Sequence, residues 1–393
     1  MAKEIVVLSA VRSAVGSFGG SLAGFAPEDL GSLVAREAFA RSGVDPKQAS
    51  YAVVGNAIPC GSNFPYVSRL ATVRAGMSMD STVMACNRLC GSAMQAIISV
   101  AQNILLGDVE IGLAGGVEVM SAGGYLSSAM RSGARMGDTK MLDMMVAALT
   151  DPFGAGHMGM TAENQAMKWG ISREQQDAFA LESQVRAGKA IAEGRFKSQI
   201  VPVTVKTRKG DVLFDTDEHP KATSLEALAK MKPAFKKEGG TVTAGNASGI
   251  NDAAAFLVLA DAAVAAKAGY KPMARLVAYA VAGVEASLMG DGPIPSTQFA
   301  LKRAGLTLAQ IDVIEANEAF AAQALAVAKG LGLDPLKTNP NGGAISLGHP
   351  VGATGGVIVT KLLHEMQRIN ARYGLATMCI GGGQGITTIW ERC

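Results

Sequence analysis

Three side chains stand where a chain can do chemistry. Cys90, in VMACNRLCGSAMQAI (83–97), lies between an apolar run that reads as a strand and a run that reads as a helix. A thiol there can be buried filler, half of a disulfide, a metal ligand or a nucleophile. The helix N-terminus, with unpaired N–H groups and the positive end of the dipole, favours the thiolate. A free thiol of pKa about 8.5 is only a few per cent ionised at neutral pH, so a base is needed as well. His349, in the tight Gly-rich turn GHPVGATG, is the candidate base and one of only four histidines. Cys379 ends the strand-like GLATMCI and precedes GGGQG. Glycines at that edge expose N–H groups and suit an oxyanion hole. The string lacks the GK[ST] of a phosphate loop and the spacing of a dinucleotide fingerprint. No CxxC or HxxxH pair supplies local metal-ligand spacing, so no metal is expected. EANEAF (315–320) adds Asn317 and Glu318 at a strand-to-helix junction, where ligands of open α/β sheets gather, although Asn317 also reads as a simple helix cap.

The elements that must position these residues alternate from the start. EIVVLSA reads as a strand, a helix begins at Pro27, YAVVGNA is a second strand, a helix follows near YVSRLATVRAG, and then come the strand before Cys90, the helix after it and VEIGLAGGVE. This predicts layered α/β architecture with a mostly parallel sheet. The pattern breaks at residue 121. Residues 121–249 read as a large insertion that includes a helix opened by Ser172 with Gln175 in a capping box. Alternation then resumes, and the second half echoes the first: Gly43 falls on Gly305, Asn56 on Asn317, Cys90 near His349, and GLAGGVE on MCIGGGQG, all at nearly constant offset. A duplicated half-domain related by a pseudo-twofold axis would bring Cys90 and His349 together. The expected division is 1–120, completed by 250–271, then the insertion 121–249, then 272–393.

Composition narrows the field. Of 393 residues, 49% are apolar and 18% charged, enough for a large interior, and 47 glycines suggest closely packed backbones. A net charge of +3 makes no case for nucleic acid or a membrane surface. The basic runs KTRKG (206–210) and KMKPAFKK (230–237) read as solvated surface or as phosphate contacts. The N-terminus reads as a strand rather than a signal peptide, and no unbroken apolar run of membrane-spanning length stands out. Five scattered cysteines are not a disulfide framework. A soluble, cytoplasmic protein is expected.

NRLCGSAMQAI, TAGNASGINDAAA, EANEAFAAQA, NPNGGAISLGHPVGATG and MCIGGGQG occur together and in order across the whole chain. In that combination the sequence resembles the thiolases, in particular the short-chain biosynthetic type. The resemblance implies two similar five-stranded α/β halves in an α-β-α-β-α stack, with the inserted loop domain binding coenzyme A. It implies acetyl-CoA C-acetyltransferase activity: Cys90, activated by His349, takes an acetyl group from acetyl-CoA. Cys379 removes an α-proton from a second acetyl-CoA, and condensation releases acetoacetyl-CoA and CoA. One oxyanion hole would combine His349 with a water held by Asn317, the other the N–H groups of Cys90 and Gly381. His157, Met158 and Ser248 would line the pantetheine channel, Lys221 would sit nearer the nucleotide phosphates, and Met158 and Met289 would wall the acyl pocket. CoA thioesters are the substrates, no further cofactor is implied, and family members are homodimers or homotetramers, with YLSSAMRSGARMGDTK a candidate for tetramer contacts. Ala93 stands where many relatives have Gly. The alternatives are a 3-ketoacyl-CoA thiolase of broader chain length, a decarboxylating ketoacyl synthase, against which Cys379 speaks, and a catalytically silent CoA- or lipid-binding protein. A Cys90–Cys379 disulfide switch is a further expectation to test.

Overall fold

The structure is a computed structural model and describes residues 3–393. Nine strands form the path of the main sheet: β1 (Ile5–Ser13), β2 (Tyr51–Gly55), β3 (Thr82–Cys86), β4 (Ile111–Val119), β5 (Asn251–Asp261), β6 (Ala274–Gly283), β7 (Val313–Ala316), β8 (Tyr373–Ile380) and β9 (Gln384–Arg392). Their spatial order is β7-β8-β9-β6-β1-β5-β4-β2-β3. The first half runs from β1 to β3 and the second from β6 to β7. Two antiparallel register pairs join them, Val6 with Arg275 and Val7 with Ala274.

Eight helices matter for the site: α1 (Pro27–Ser42), α2 (Val67–Arg74), α3 (Ser92–Leu106), α4 (Met158–Trp169), α5 (Arg173–Ala192), α6 (Pro293–Ala304), α7 (Ala321–Leu331) and α8 (Thr354–Arg368). Helices α3 and α8 pack on each other, and each touches strands of both halves; α1 covers the outer face of the first half and α6 that of the second. This is the α-β-α-β-α stack. In β1, Val6 and Leu8 point to the outer core, and Ile5 and Val7 to the central one. Both faces are covered, so all nine positions are buried and the strand opens on four consecutive apolar residues instead of an alternation. Leu89–Leu106 has the length and mean hydropathy of a membrane span, 1.5 over 18 residues, but 61% of it is buried inside the protein, with α3 in the central layer.

The duplication is visible in the caps. Gly43 ends α1 at φ 73° and Gly305 ends α6 at φ 65°, both in the left-handed region that glycine reaches without strain. Two expectations need correction. The sheet is mixed: along this nine-strand path only β2–β3, β2–β4 and β7–β8 are parallel, because the last strand of each half returns antiparallel between its neighbours. The second half also has four full strands rather than five. Where the fifth belongs, a single parallel bridge joins Ile314 to Thr338. Asn339 then turns to φ 46° ahead of Pro340, which has no N–H to donate. The Asn339 amide replaces the missing ladder, accepting from Ala316 N–H at 2.9 Å and donating to Ala316 C=O at 2.7 Å.

Candidate active site

The turn before α3 is built to present Cys90. Asn87 Oδ1 accepts from Leu89 N–H at 3.0 Å, and Leu89 takes φ 47°, unusual for a bulky residue. The N–H groups of Gly91 and Ser92 are used inside the turn, bonding back to Arg88 and Leu89. Those of Cys90 itself and of Gly381 lie near enough to the Cys90 sulfur to favour its ionised form. Gly381 opens the β8–β9 hairpin, and Cys379, fully buried, sits two residues earlier at the end of β8.

His349 comes from the other half. Asn251, the first residue of β5, accepts from His349 N–H at 2.9 Å and donates to Gly16 C=O at 3.0 Å, which fixes the backbone of the histidine loop. Glu118, near the end of β4, ties that loop to the first half. It accepts from Gly352 N–H at 2.8 Å, from Ala57 N–H at 3.0 Å and from the Asn56 amide at 2.8 Å. Spacing along the chain carried no sign of this tie, since its partners lie some 60 and 234 residues away.

Cys90, His349, Cys379 and Gly381 line one cavity of about 370 Å³. His157, Met158, Ser248 and Met289 line it too. His157 caps α4, its Nδ1 accepting from Gly159 N–H at 3.1 Å, and stacks on Phe235 with ring centroids 4.8 Å apart. Asp291 accepts from Gln165, Lys168 and Trp169 of α4, so Met289 and Met158 ride on one rigid unit. Phe235 and Phe320, which also line the cavity, were not found from the sequence. Phe235 lies in the basic run 230–237, where the lysines on both sides gave the appearance of a solvated surface.

Two of the expected residues lie off the cavity wall. Lys221 is exposed, its backbone N–H bonded to Gln184 on α5, and it does not reach the cavity wall. Asn317 does not line the cavity and borders a separate space of about 10 Å³ with Gly348 and Thr354. Both polar atoms of its amide are buried without a hydrogen-bond partner among the described residues.

Burial sets the electrostatics. It pushes the Cys90 thiol up to about 11, against the lowering effect of the two N–H groups, and so overrides the thiolate preference expected at a helix start. Cys379 is pushed up as well, by burial and then by its neighbour Cys90. Burial alone holds His349 down at about 4. At neutral pH Cys90 and Cys379 are therefore thiols and the His349 ring is neutral. Among the described residues, no three His, Cys, Asp or Glu side chains gather as a metal cluster.

Comparison with known proteins fits this geometry. The pattern described as Thiolase, N-terminal domain, matches residues 5–263, and that described as Thiolase, C-terminal domain, matches residues 270–392. The chain belongs to the thiolase family. It is 56% identical to beta-ketothiolase BktB of Cupriavidus necator over 100% of both chains. It is 49% identical to the acetyl-CoA acetyltransferase of Pseudomonas aeruginosa, over 99% of this chain and 100% of that one. The crystal structure of human mitochondrial 3-ketoacyl-CoA thiolase in complex with CoA superposes with a TM-score of 0.96 at 41% identity, covering 100% of this chain and 98% of that one. The thiolase residue Ala93, where a glycine was the family expectation, is fully buried, and Gly55, Gly116 and Gly356 leave room for it.

Proposed function

We propose that this thiolase is an acetyl-CoA C-acetyltransferase that condenses two acetyl-CoA reversibly to acetoacetyl-CoA and CoA. The observation that carries the reading is the convergence of two thiols, the His349 imidazole and two backbone N–H groups on a single apolar cavity.

Cys90 gives its proton to His349 and attacks the thioester carbonyl, whose oxygen is held by the N–H groups of Cys90 and Gly381. The bond to the CoA sulfur breaks. The departing CoA thiolate takes the proton of Cys379, leaving a Cys379 thiolate beside the acetyl-Cys90. Because burial raises the Cys379 pKa, that thiolate is a strong base, better matched to an α-proton than an ordinary thiolate. It removes the α-proton of a second acetyl-CoA. The imidazolium of His349, with a water on the Asn317 amide, holds the enolate oxygen. The carbanion attacks the acetyl carbon, the bond to Cys90 breaks, and the Cys90 thiolate recovers its proton from His349. Each oxyanion donor is worth roughly 3 kcal/mol in a dry site.

In this reading the block 121–249 carries CoA, with pantetheine passing His157, Met158 and Ser248 and the nucleotide phosphates meeting the basic segments, Lys221 among them. The flexible walls Met158 and Met289 suit short linear acyl groups. They also favour a second reading, a 3-ketoacyl-CoA thiolase that admits longer chains. Five free cysteines fit a reducing cytoplasm. The unpaired outer edge of β3 and the exposed Met130, Met136 and Met141 suit a homodimer or homotetramer. Light scattering distinguishes the two.

The reading is tested by mass spectrometry after brief exposure to acetyl-CoA, with Cys90→Ala alongside. One acetyl group on the Cys90 peptide, discharged by free CoA, is expected. An intact protein that binds CoA and forms no adduct would overturn it.

A further inference from the structure

Helices α3 and α8 hold equivalent places in the two halves, and each begins with a hydroxyl side chain, Ser92 and Thr354. In the first half, Ser92 Oγ accepts from Arg88 N–H at 2.9 Å and donates to Leu89 C=O at 2.6 Å, closing the turn that carries Cys90. In the second half, Thr354 Oγ1 lies 2.7 Å from Pro350 C=O and 2.7 Å from His349 Nδ1.

A hydroxyl has one proton. The Pro350 carbonyl has none, so a 2.7 Å contact there requires the Thr354 proton. Toward His349 the same oxygen can then only accept, and Nδ1 must carry the ring proton. Nε2 is left with its lone pair, on a ring that lines the cavity with Cys90. Both residues are buried, His349 at 6% exposure and Thr354 at 1%, so water does not compete freely for the bond. A carboxylate often holds the distal nitrogen of a catalytic histidine and raises its basicity. Here the holder is neutral, in keeping with an imidazole depressed by burial with no opposing charge.

We propose that Thr354 is a positioning residue that locks His349 in the Nδ1–H tautomer, leaving Nε2 as the nitrogen that takes the Cys90 proton. The duplicated hydroxyl thus braces the nucleophile in one half and sets the base in the other. When the imidazolium forms, the same bond keeps its Nε2–H directed at the cavity. The proposal rests on the acyl-transfer reading for its consequence, but the tautomer can be read without any turnover.

The test uses the full chain with 15N-labelled histidine and long-range 1H–15N correlation spectra. The His349 signals are assigned by their loss in His349→Asn. In the native protein and in Thr354→Ser, Nδ1 should be protonated and Nε2 should not. In Thr354→Val the Nε2–H tautomer should gain population. Its kcat should fall about 10- to 100-fold with KM little changed, while Thr354→Ser stays within about threefold of the native rate. An Nε2–H tautomer in the native protein would overturn the assignment, as would a Thr354→Val variant with native tautomer and rate. If Thr354→Val does not fold, the native and Thr354→Ser spectra still decide it. Failure of acyl transfer alone would leave the spectra unchanged, which separates the two readings.

Discussion

Gly116 lies in β4, where the first half meets both central helices, and replacing it with Ala tests how tightly the two catalytic loops are coupled. A methyl built there falls 2.3 Å from the Gly352 carbonyl oxygen and 2.9 Å from the Ala93 methyl. Cβ atoms do not approach neighbours closer than 3.0 Å, so the Gly352 backbone must move by several tenths of an ångström. It cannot move freely, because its N–H is bonded to Glu118 at 2.8 Å. The displacement passes to His349 three residues before and to Thr354 two residues after. Overpacking costs about 1–3 kcal/mol. Spread over the unfolding entropy of 393 residues, that lowers Tm by only about 1–4 °C. The rate is far more sensitive, since a misplacement of about 1 Å between reacting groups costs roughly 100-fold, so half of that costs about tenfold. Calorimetry and steady-state thiolysis of acetoacetyl-CoA should therefore show a small loss of Tm beside a loss of about tenfold or more in kcat/KM. A variant with native kcat/KM and native Tm would refute the argument that close backbone contact sets the distance between Cys90 and His349.

Gly188→Ala is the matching control: it lies on the exposed side of α5 with nothing within 4 Å of a new methyl, and should stabilise by about 0.5–1 kcal/mol in urea unfolding with unchanged activity. Asn339→Ala removes the amide that stands in for a strand and leaves Ala316 N–H and C=O and the Glu318 carboxylate without it. A loss of roughly 2–5 kcal/mol is expected by the same method. His364, held down to about 4 by burial, donates through Nε2 to Ala10 C=O and meets the Ser198 hydroxyl through Nδ1. Its neutral form stabilises the fold fully above about pH 6.5 and loses that contribution as pH falls toward 4, by about 1.4 kcal/mol per unit. A Gln there does not titrate, so the stability difference between the native protein and His364→Gln should narrow between pH 6.5 and 4.5. The buried carboxyls Glu118 and Glu315, raised to about 7, act in the opposite sense but are common to both proteins and cancel. A difference that does not change with pH would show that His364 does not titrate on unfolding in this range.

The pairing of Cys90 with His349 was legible because the duplication left landmarks at a constant offset, and two like halves around one axis bring their loops together. The capping box at Ser172 and Gln175 was legible because it is local, and both of its reciprocal bonds are present. What depends on contacts distant in sequence was not legible. Glu118 reads as one more residue of a strand until its four N–H donors arrive from two other loops. The helix start suggested an ionised Cys90, but the depth of burial decides the balance, and depth is a property of the finished stack. The fifth strand expected in the second half is absent because the Asn339 side chain does there what backbone does elsewhere. Phe235 hid among lysines because a run of charge says nothing of the one residue that turns inward.

The place of β5 has a consequence for the chain as it leaves the ribosome. β5 lies between β1 and β4 and is their common partner, yet its first residue is Asn251. Until that segment emerges, β1 and β4 have no shared neighbour, and the whole inserted block is synthesised while the first sheet is still open. Its apolar edges are exposed to other nascent chains for that interval, during which Cys90 is already outside the tunnel and His349 has not been made. The nucleophile therefore spends the longest part of synthesis without its base, its hairpin of glycines or its cavity, and the thiol stays an ordinary one until the last hundred or so residues close over it.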